Sequence, residues 1–472
     1  WAAMTAFGAP TATLPVVAPS TTIPLRFAPH LWAGVVFFTA FTAPGWAAAF
    51  GAPAAAAVGV IACAGVAVIA VRVIRAPQWR ALPWTALAFT GWAAASIAWS
   101  RWPETTALTW TLLAATTLVA IALAAMLTWR QLVSALAWAL AAVMALSVLF
   151  EAWAALIVGG PVGIEFAAVD AQTERSDIWT NAQLFTGGRL DGIVGNANLL
   201  AMLALLAVVV LSIRLAIEPR RRGVFGVTLA ASVYLLVRTE SATAFIATIA
   251  LAIALVILLA ARTARTTSGR MRVYLAAAAL GAVAAGLAWA MRRGILSFLG
   301  RDADLTDRTE IWDLVFARGA AQPVVGNGFA TPWIPWDPAF SDWIVMPRGL
   351  HIIQAHSVWV DVWFQLGVVG VVLLACLYVL FVWRTWVFAV RHHRWQRRDD
   401  RVTATVSLLP VAVGVIVVIQ GITESSPLLL WGWMLTVLFL AKLQPRDHAR
   451  RTESVKDGKV GYGLGLDQPP FV

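Results

Sequence analysis

The chain has 472 residues, 60% of them hydrophobic and 12% charged, against about 25% charged in an average soluble domain. That deficit excludes an ordinary soluble globular protein. Stretches such as 55–70 and 132–150 carry no charge at all, and a bilayer core asks for roughly 20 apolar residues in helix.

Residues 1–30 are rich in Ala, Thr and Pro and lack a basic n-region. They read as an N-terminal cytoplasmic segment without a cleaved signal peptide, the first apolar helix serving for insertion. Hydropathy then predicts twelve spans, over roughly 31–50, 54–71, 81–99, 106–128, 132–158, 196–213, 223–237, 241–261, 273–291, 357–383, 402–421 and 426–441. The expected fold is an all-α polytopic membrane protein with about twelve transmembrane helices, a membrane domain over 31–441 and a cytoplasmic tail over 442–472. With both termini inside, 25 of the 35 Lys and Arg fall on the cytoplasmic side. Fifteen of the 24 acidic residues fall outside, seven inside, and two, Glu151 and Asp361, within spans. This is the positive-inside pattern. It assigns the net charge of +11 to anionic lipid headgroups, not to nucleic acid.

Two extracytoplasmic loops are long, 159–195 and 292–356, the second between spans 9 and 10. Long structured loops are usually functional. The larger one mixes Arg301, Asp302, Asp304, Asp307, Arg308 and Glu310 with the Trp-Pro text at 332–336, which suits a loop lying at the membrane interface. No internal repeat and no discontinuous pair of spans is expected. Cys63 and Cys376 both fall in spans without metal-ligand spacing and read as small buried hydrophobes.

The residues able to carry chemistry cluster on the outer side. His356 stands where the large loop meets the tenth span. Helical spacing places Trp359, Trp363, Gly367 and Gly370 on its face, so the imidazole is either a general base or an interfacial histidine bonded to the loop. Arg308 opens an amphipathic stretch with Ile311, Trp312 and Val315 on its face, and it either snorkels or reaches an anion. The first loop ends in the run from Gly187 to Asn198. There Gly permits close backbone approach, Asn196 and Asn198 are candidates to cap the sixth span, and Arg189 offers a planar fork suited to phosphate oxygens. Arg348 and His351 precede His356 in the same loop and are either solvated or a source of charge. Glu424 precedes the last span, as an interface anchor or part of a site. Asp361 is a carboxylate inside a span, a functional-site hypothesis by default, although it can equally bond a neighbouring helix. Gly326-Asn327-Gly328 lacks the Lys-Ser/Thr of a phosphate loop and is not read as one. His392 and His393 read as solvated in a basic cytoplasmic loop.

Taken in order, several segments resemble the O-antigen ligase and polymerase family of bacterial envelope enzymes, over roughly residues 185–430. They are Arg189-Leu190-Asp191-Gly192 with Gly195, Asn196 and Asn198; Asp307-Arg308-Thr309-Glu310-Ile311-Trp312; Pro323-Val324-Val325-Gly326-Asn327-Gly328; Ala355-His356-Ser357-Val358-Trp359; and Gly367-Val368-Val369-Gly370. The resemblance implies a GT-C-like fold and a metal-independent glycosyltransferase without cofactor in the bacterial cytoplasmic membrane. It would move a glycan from an undecaprenyl-diphosphate donor to a hydroxyl of a glycan, lipid or other acceptor on the outer face. By motif, Arg189 and Arg308 would bind diphosphate and His356 would be the base. Asn196, Asn198, Arg238, Arg348 and Glu424 complete the expected substrate-binding set, and no metal ligand is expected. One departure stands out. The arginine usual at the start of the family's eighth span is here Ala242, and Arg238 lies one turn away. Besides a ligase, the alternatives are a polysaccharide polymerase of the same chemistry and a transporter or flippase.

Overall fold

A computed structural model describes residues 28–74, 82–218, 221–291, 294, 306–334, 336–346, 350–352, 354–391 and 398–444. Among them the helices run α1 (Ala28–Phe41), α2 (Ala43–Val73), α3 (Trp84–Ala95), α4 (Pro103–Met126), α5 (Trp129–Trp153), α6 (Ala197–Ile217), α7 (Arg222–Arg238), α8 (Ala242–Thr263), α9 (Thr267–Ala290), α10 (Thr306–Gly319), α11 (Val358–Arg391), α12 (Arg398–Val406), α13 (Leu408–Thr423) and α14 (Leu430–Lys442). Among the described residues, strand is confined to two short antiparallel pairs, Val162–Gly163 with Ile178–Thr180 and Val345–Met346 with Leu350–His351. The protein is thus an all-α, multi-pass membrane protein. Eight described helical stretches are long and apolar enough to cross a bilayer. Four helices of the expected set, α1, α3, α7 and α14, are shorter than these.

Local chemistry explains where several helices begin. Thr128 and Gln131 form a reciprocal capping box at α5. The side chains of Asn196, Ser241 and Thr266 accept from the backbone of the third residue beyond them and start α6, α8 and α9. Each cap satisfies an N–H that the helix itself leaves unpaired. The main core is aliphatic and aromatic, with Leu203 and Leu206 of α6, Met144 of α5, Phe37 and Phe41 of α1, Phe381 of α11 and Phe439 of α14 all buried. Around it α6 packs on α5 and α7, α4 on α14, and α13 on α8 and α11.

Two expectations about the spans change. The first connection lies at Thr42 instead of near 50–54, and α2 is itself interrupted at Gly51 (φ 79°, ψ 165°), two residues before Pro53. A proline inside a helix removes a ladder donor. Helix α11 is likewise interrupted, at Gly367 (φ 63°, ψ −166°). Discontinuous spans are therefore present, contrary to the sequence reading. Backbone freed inside a membrane domain has to be satisfied internally, and the loop over 323–328 does this for α11. Val368 N donates to Pro323 O (3.0 Å), while Asn327 N and Gly328 N donate to Phe364 O (3.1 Å) and Gln365 O (2.9 Å). Trp92 Nε1 donates to Leu366 O (3.1 Å). A Cβ at Gly326 would sit 2.3 Å from the Gln365 carbonyl carbon, and one at Gly367 would sit 2.2 Å from Val324 O. The Gly-Asn-Gly run is thus a plug for a broken helix.

The large loop builds a second core with Trp102 before α4 and Phe364 of α11. Trp102, Ile311, Val315, Trp333, Phe340, Ile344, Ala355 and Phe364 are buried together, and Arg318 lies over the rings of Trp343 (4.2 Å) and Trp102 (5.4 Å). Trp333 is 1% exposed. The expected interfacial Trp-Pro text therefore supplies a core anchor at Trp333, while Trp336, 66% exposed, faces outward. Cys63 is half-buried against the main core, but Cys376 is exposed on α11, so the reading of both as buried holds for neither in full.

Candidate functional site

The N-termini of α6, α8 and α11 and the C-termini of α7 and α13 converge at one end of the bundle. Thr423 at the end of α13 donates to Thr243 at the start of α8 (3.0 Å). Arg189 Nε donates to Thr239 O just past α7 (2.9 Å). At the centre stands Glu424, the residue that ends α13. It is 6% exposed and its two oxygens are divided. Oε1 accepts from Asn198 Nδ2 (3.1 Å) and faces Arg308 Nη2 at 3.5 Å. Oε2 takes Gln354 Nε2 (3.1 Å) and His356 Nδ1 (3.2 Å). Burial opposes ionisation of this carboxyl. The hydrogen bond and charge of His356, the Arg308 guanidinium and the Asn198 amide outweigh burial and hold it below the usual carboxylate range.

The network extends through Asn198, whose Oδ1 accepts from Arg189 Nη2 (2.7 Å) and Ser241 Oγ (3.0 Å). Arg189, Asn198, Glu424, Arg308, Gln354 and His356 therefore form one connected polar cluster drawn from both long loops, the start of α6 and the end of α13. A carboxylate only accepts, so the hydrogen on His356 Nδ1 points at Glu424, and in the neutral imidazole this tautomer makes Nε2 the acceptor. Gln354 Nε2 lies 3.3 Å from Nδ1, where two donors share the one carboxylate oxygen.

His356 does not continue the helix that follows it. Its φ is +51°, and α11 starts two residues later at Val358. The expected stripe with Trp359, Trp363, Gly367 and Gly370 assumed helical phase through His356, and the left-handed residue breaks that phase. Trp363 instead meets Phe316 of α10, with ring centroids 5.1 Å apart, and Trp359 meets Tyr378. The His356 side chain is 28% exposed. Arg308 occupies the first turns of α10, while Ile311 and Val315 bury into the loop core.

The other expected site residues separate. Asn196 caps α6 by accepting from Leu199 N (3.0 Å). Arg238 Nη2 donates to Gln183 O (2.9 Å) in the first loop. Its carbonyl accepts from Leu190 N (3.2 Å), so it borders the Arg189 segment without joining the Glu424 cluster. Arg348 lies outside the described residues, as do His392 and His393, and of His351 only the backbone is described. Sequence reasoning did not select Gln354 or Ser241. Ser241 lies in the stretch where the family arginine is missing, and Gln354 is two residues from His356; those positions were the available signal.

Fold and cluster together define a multi-pass helical membrane protein with a polar site at one end of its bundle, built from two long loops. Residues 227–375 match the O-antigen ligase family model, so over this stretch the chain is similar to the family its motifs resemble. It is also similar to the exopolysaccharide production protein ExoQ of Rhizobium meliloti (strain 1021), with 29% identity over 157 residues. That alignment covers 31% of this chain and about a third of the relative's length, 34%.

Proposed function

We propose that the protein is a membrane glycosyltransferase that moves a glycan from a polyprenyl-diphosphate donor to an acceptor hydroxyl. The observation that carries this reading is the Glu424 cluster, which joins a histidine held through Nδ1 to two arginines in one hydrogen-bonded network. Arg189 and Arg308 would cradle the diphosphate, since a guanidinium matches phosphate oxygens in a planar fork. The acceptor hydroxyl, giving its proton to His356 Nε2, attacks the anomeric carbon. The bond from that carbon to the diphosphate oxygen breaks, and its electron pair leaves on the diphosphate, whose developing charge the arginines stabilise. Glu424 holds the imidazole by Nδ1 and balances the imidazolium that forms. The positive-inside charge distribution supports the outer face of the bacterial cytoplasmic membrane for this chemistry, with both termini inside and twelve spans.

A one-step ligase is the preferred form. The polymerase alternative is favoured by the similarity to an exopolysaccharide production protein. The test uses purified protein in liposomes with a lipid-linked glycan donor. Transfer that disappears in His356→Ala at unchanged expression supports the reading; transfer at the wild-type rate in that variant overturns it. A product ladder from donor alone marks a polymerase, a single acceptor-dependent product a ligase. Donor movement across the bilayer without any new glycosidic product marks a transporter.

A further inference from the structure

Two carboxylates lie buried in spans and outside the mechanism just described. Glu151, in the last turn of α5, is 0% exposed, and Asp361, in the first turn of α11, is 1% exposed. A charge placed there is costly unless its lone pairs are filled. Both are filled, and by different loops.

Asp361 Oδ2 accepts from Ala355 N (3.2 Å) and from Ser425 Oγ, and Oδ1 faces Gln365 Nε2 at 3.4 Å. Ala355 immediately precedes His356 and Ser425 immediately follows Glu424. One carboxylate oxygen therefore ties together the two backbone segments that carry the histidine and its carboxylate partner. From the other side Trp312 Nε1 donates to Ala355 O (2.8 Å). Ala355, the residue before His356, is thus gripped at both its N–H and its C=O. That grip has a task, because His356 sits at φ +51°, a left-handed conformation that persists only where its surroundings hold it.

Glu151 serves the first loop in the same way. Its Oε1 accepts from Asp191 N (3.1 Å) and Gly192 N (2.7 Å), and its Oε2 from Thr180 Oγ1 (2.9 Å). Gly192 has φ +57°, and a Cβ there would meet Ser147 Oγ at 2.7 Å. The turn that lets two consecutive N–H groups converge on one oxygen accordingly requires glycine. Arg189 is two residues upstream of this pin.

We propose that the two are positioning residues with separate duties: Asp361 aligns the His356–Glu424 pair, and Glu151 places Arg189 for the anionic end of the donor. This rests on the glycosyltransferase reading above. Misalignment of a base acts on the reacting complex and falls on kcat, since displacement of about 1 Å can cost on the order of 100-fold. A displaced donor-binding arginine weakens ground-state and transition-state binding together and falls on KM.

The test compares Asp361→Asn and Glu151→Gln, both near-isosteric, in the full chain in liposomes with a polyprenyl-diphosphate glycan. Modification of His356 by diethylpyrocarbonate, located by mass spectrometry with His30 as internal reference, gives a second readout independent of turnover. The expected result is a kcat at least about 10-fold lower for Asp361→Asn, with donor KM within about twofold and the His356 labelling rate changed about threefold or more. For Glu151→Gln the expectation is a donor KM about 10-fold higher, kcat within about twofold and His356 labelling as in wild type. Equal effects of both variants on the same parameter, or wild-type values in either, overturn the division. Labelling that rises at His30 together with His356 marks a merely structural carboxylate and overturns it too. A wild-type protein that transfers no glycan defeats the glycosyltransferase reading instead, and the labelling contrast then decides on its own whether Asp361 positions His356.

Discussion

The two long loops reach the same carboxylate by opposite constructions. The loop that carries Arg189 has little core of its own. It is pinned to the helices through Glu151, through Trp179 Nε1 donating to Ile193 O (3.2 Å) and through the backbone bond of Leu190 to Arg238. The loop that leads into His356 buries eight residues of its own, two of them aromatic, against Trp102 before α4 and Val360 and Phe364 of α11, and inserts its 323–328 segment into the break in α11. A pinned loop is set by a few polar contacts, whereas a packed loop is set by volume. Substitutions should therefore act differently in each: through single hydrogen bonds in the first, through packing and backbone geometry in the second.

The predictions follow that division. The largest effect belongs to the site both loops share. His356→Ala should lower transfer by about 10²–10⁴-fold, the range for a lost general base, measured as initial rate in liposomes with the melting temperature unchanged. Next comes the packed loop. Trp333→Ala removes its most deeply buried indole and should cost about 3–5 kcal/mol, seen as early proteolytic cleavage within 306–346 while the membrane helices stay resistant. Cleavage confined to the 159–195 loop would break the comparison. Gly367→Ala should destabilise by about 1–3 kcal/mol, because it forces a side chain into positive φ and against Val324 O; a raised melting temperature would contradict it. The smallest effect belongs to a pin. Asn196→Ala removes the cap of α6 and should cost about 1 kcal/mol, leaving the rate nearly untouched. Since Asn198 and not Asn196 bonds Glu424, a large rate loss in Asn196→Ala would show that the first loop is held less locally than its hydrogen bonds imply.

Much of this was legible in the residues. Apolar run length and charge placement gave the helical membrane fold, and the positions of Arg189, Arg308, His356 and Glu424 in the chain pointed to a shared end. The partnerships were not legible. Nothing in spacing says that Glu424 meets His356 across 68 residues or Asn198 across 226; only packing of α13 beside α6, α8 and α11 makes those pairs. The interruption at Gly367 was hidden because a glycine in an apolar run reads the same whether or not a loop plugs the helix beside it. Trp333 was misplaced for a related reason: indoles are equally at home at a membrane interface and in a core, and hydropathy does not distinguish them. Asp361 and Glu151 did carry a signal, a carboxylate inside an apolar span, but it identifies the residue without its partners.

The central claim is that Glu424 turns two differently built loops into one site by holding His356 through Nδ1. Glu424→Gln keeps the shape but lets an amide donor oppose Nδ1–H, which favours the wrong imidazole tautomer. The direct measurement is kcat of this variant in liposomes with a lipid-linked glycan donor, alongside its melting temperature. The account predicts a fall of at least about 100-fold with folding retained; wild-type kcat in a folded Glu424→Gln protein would contradict it.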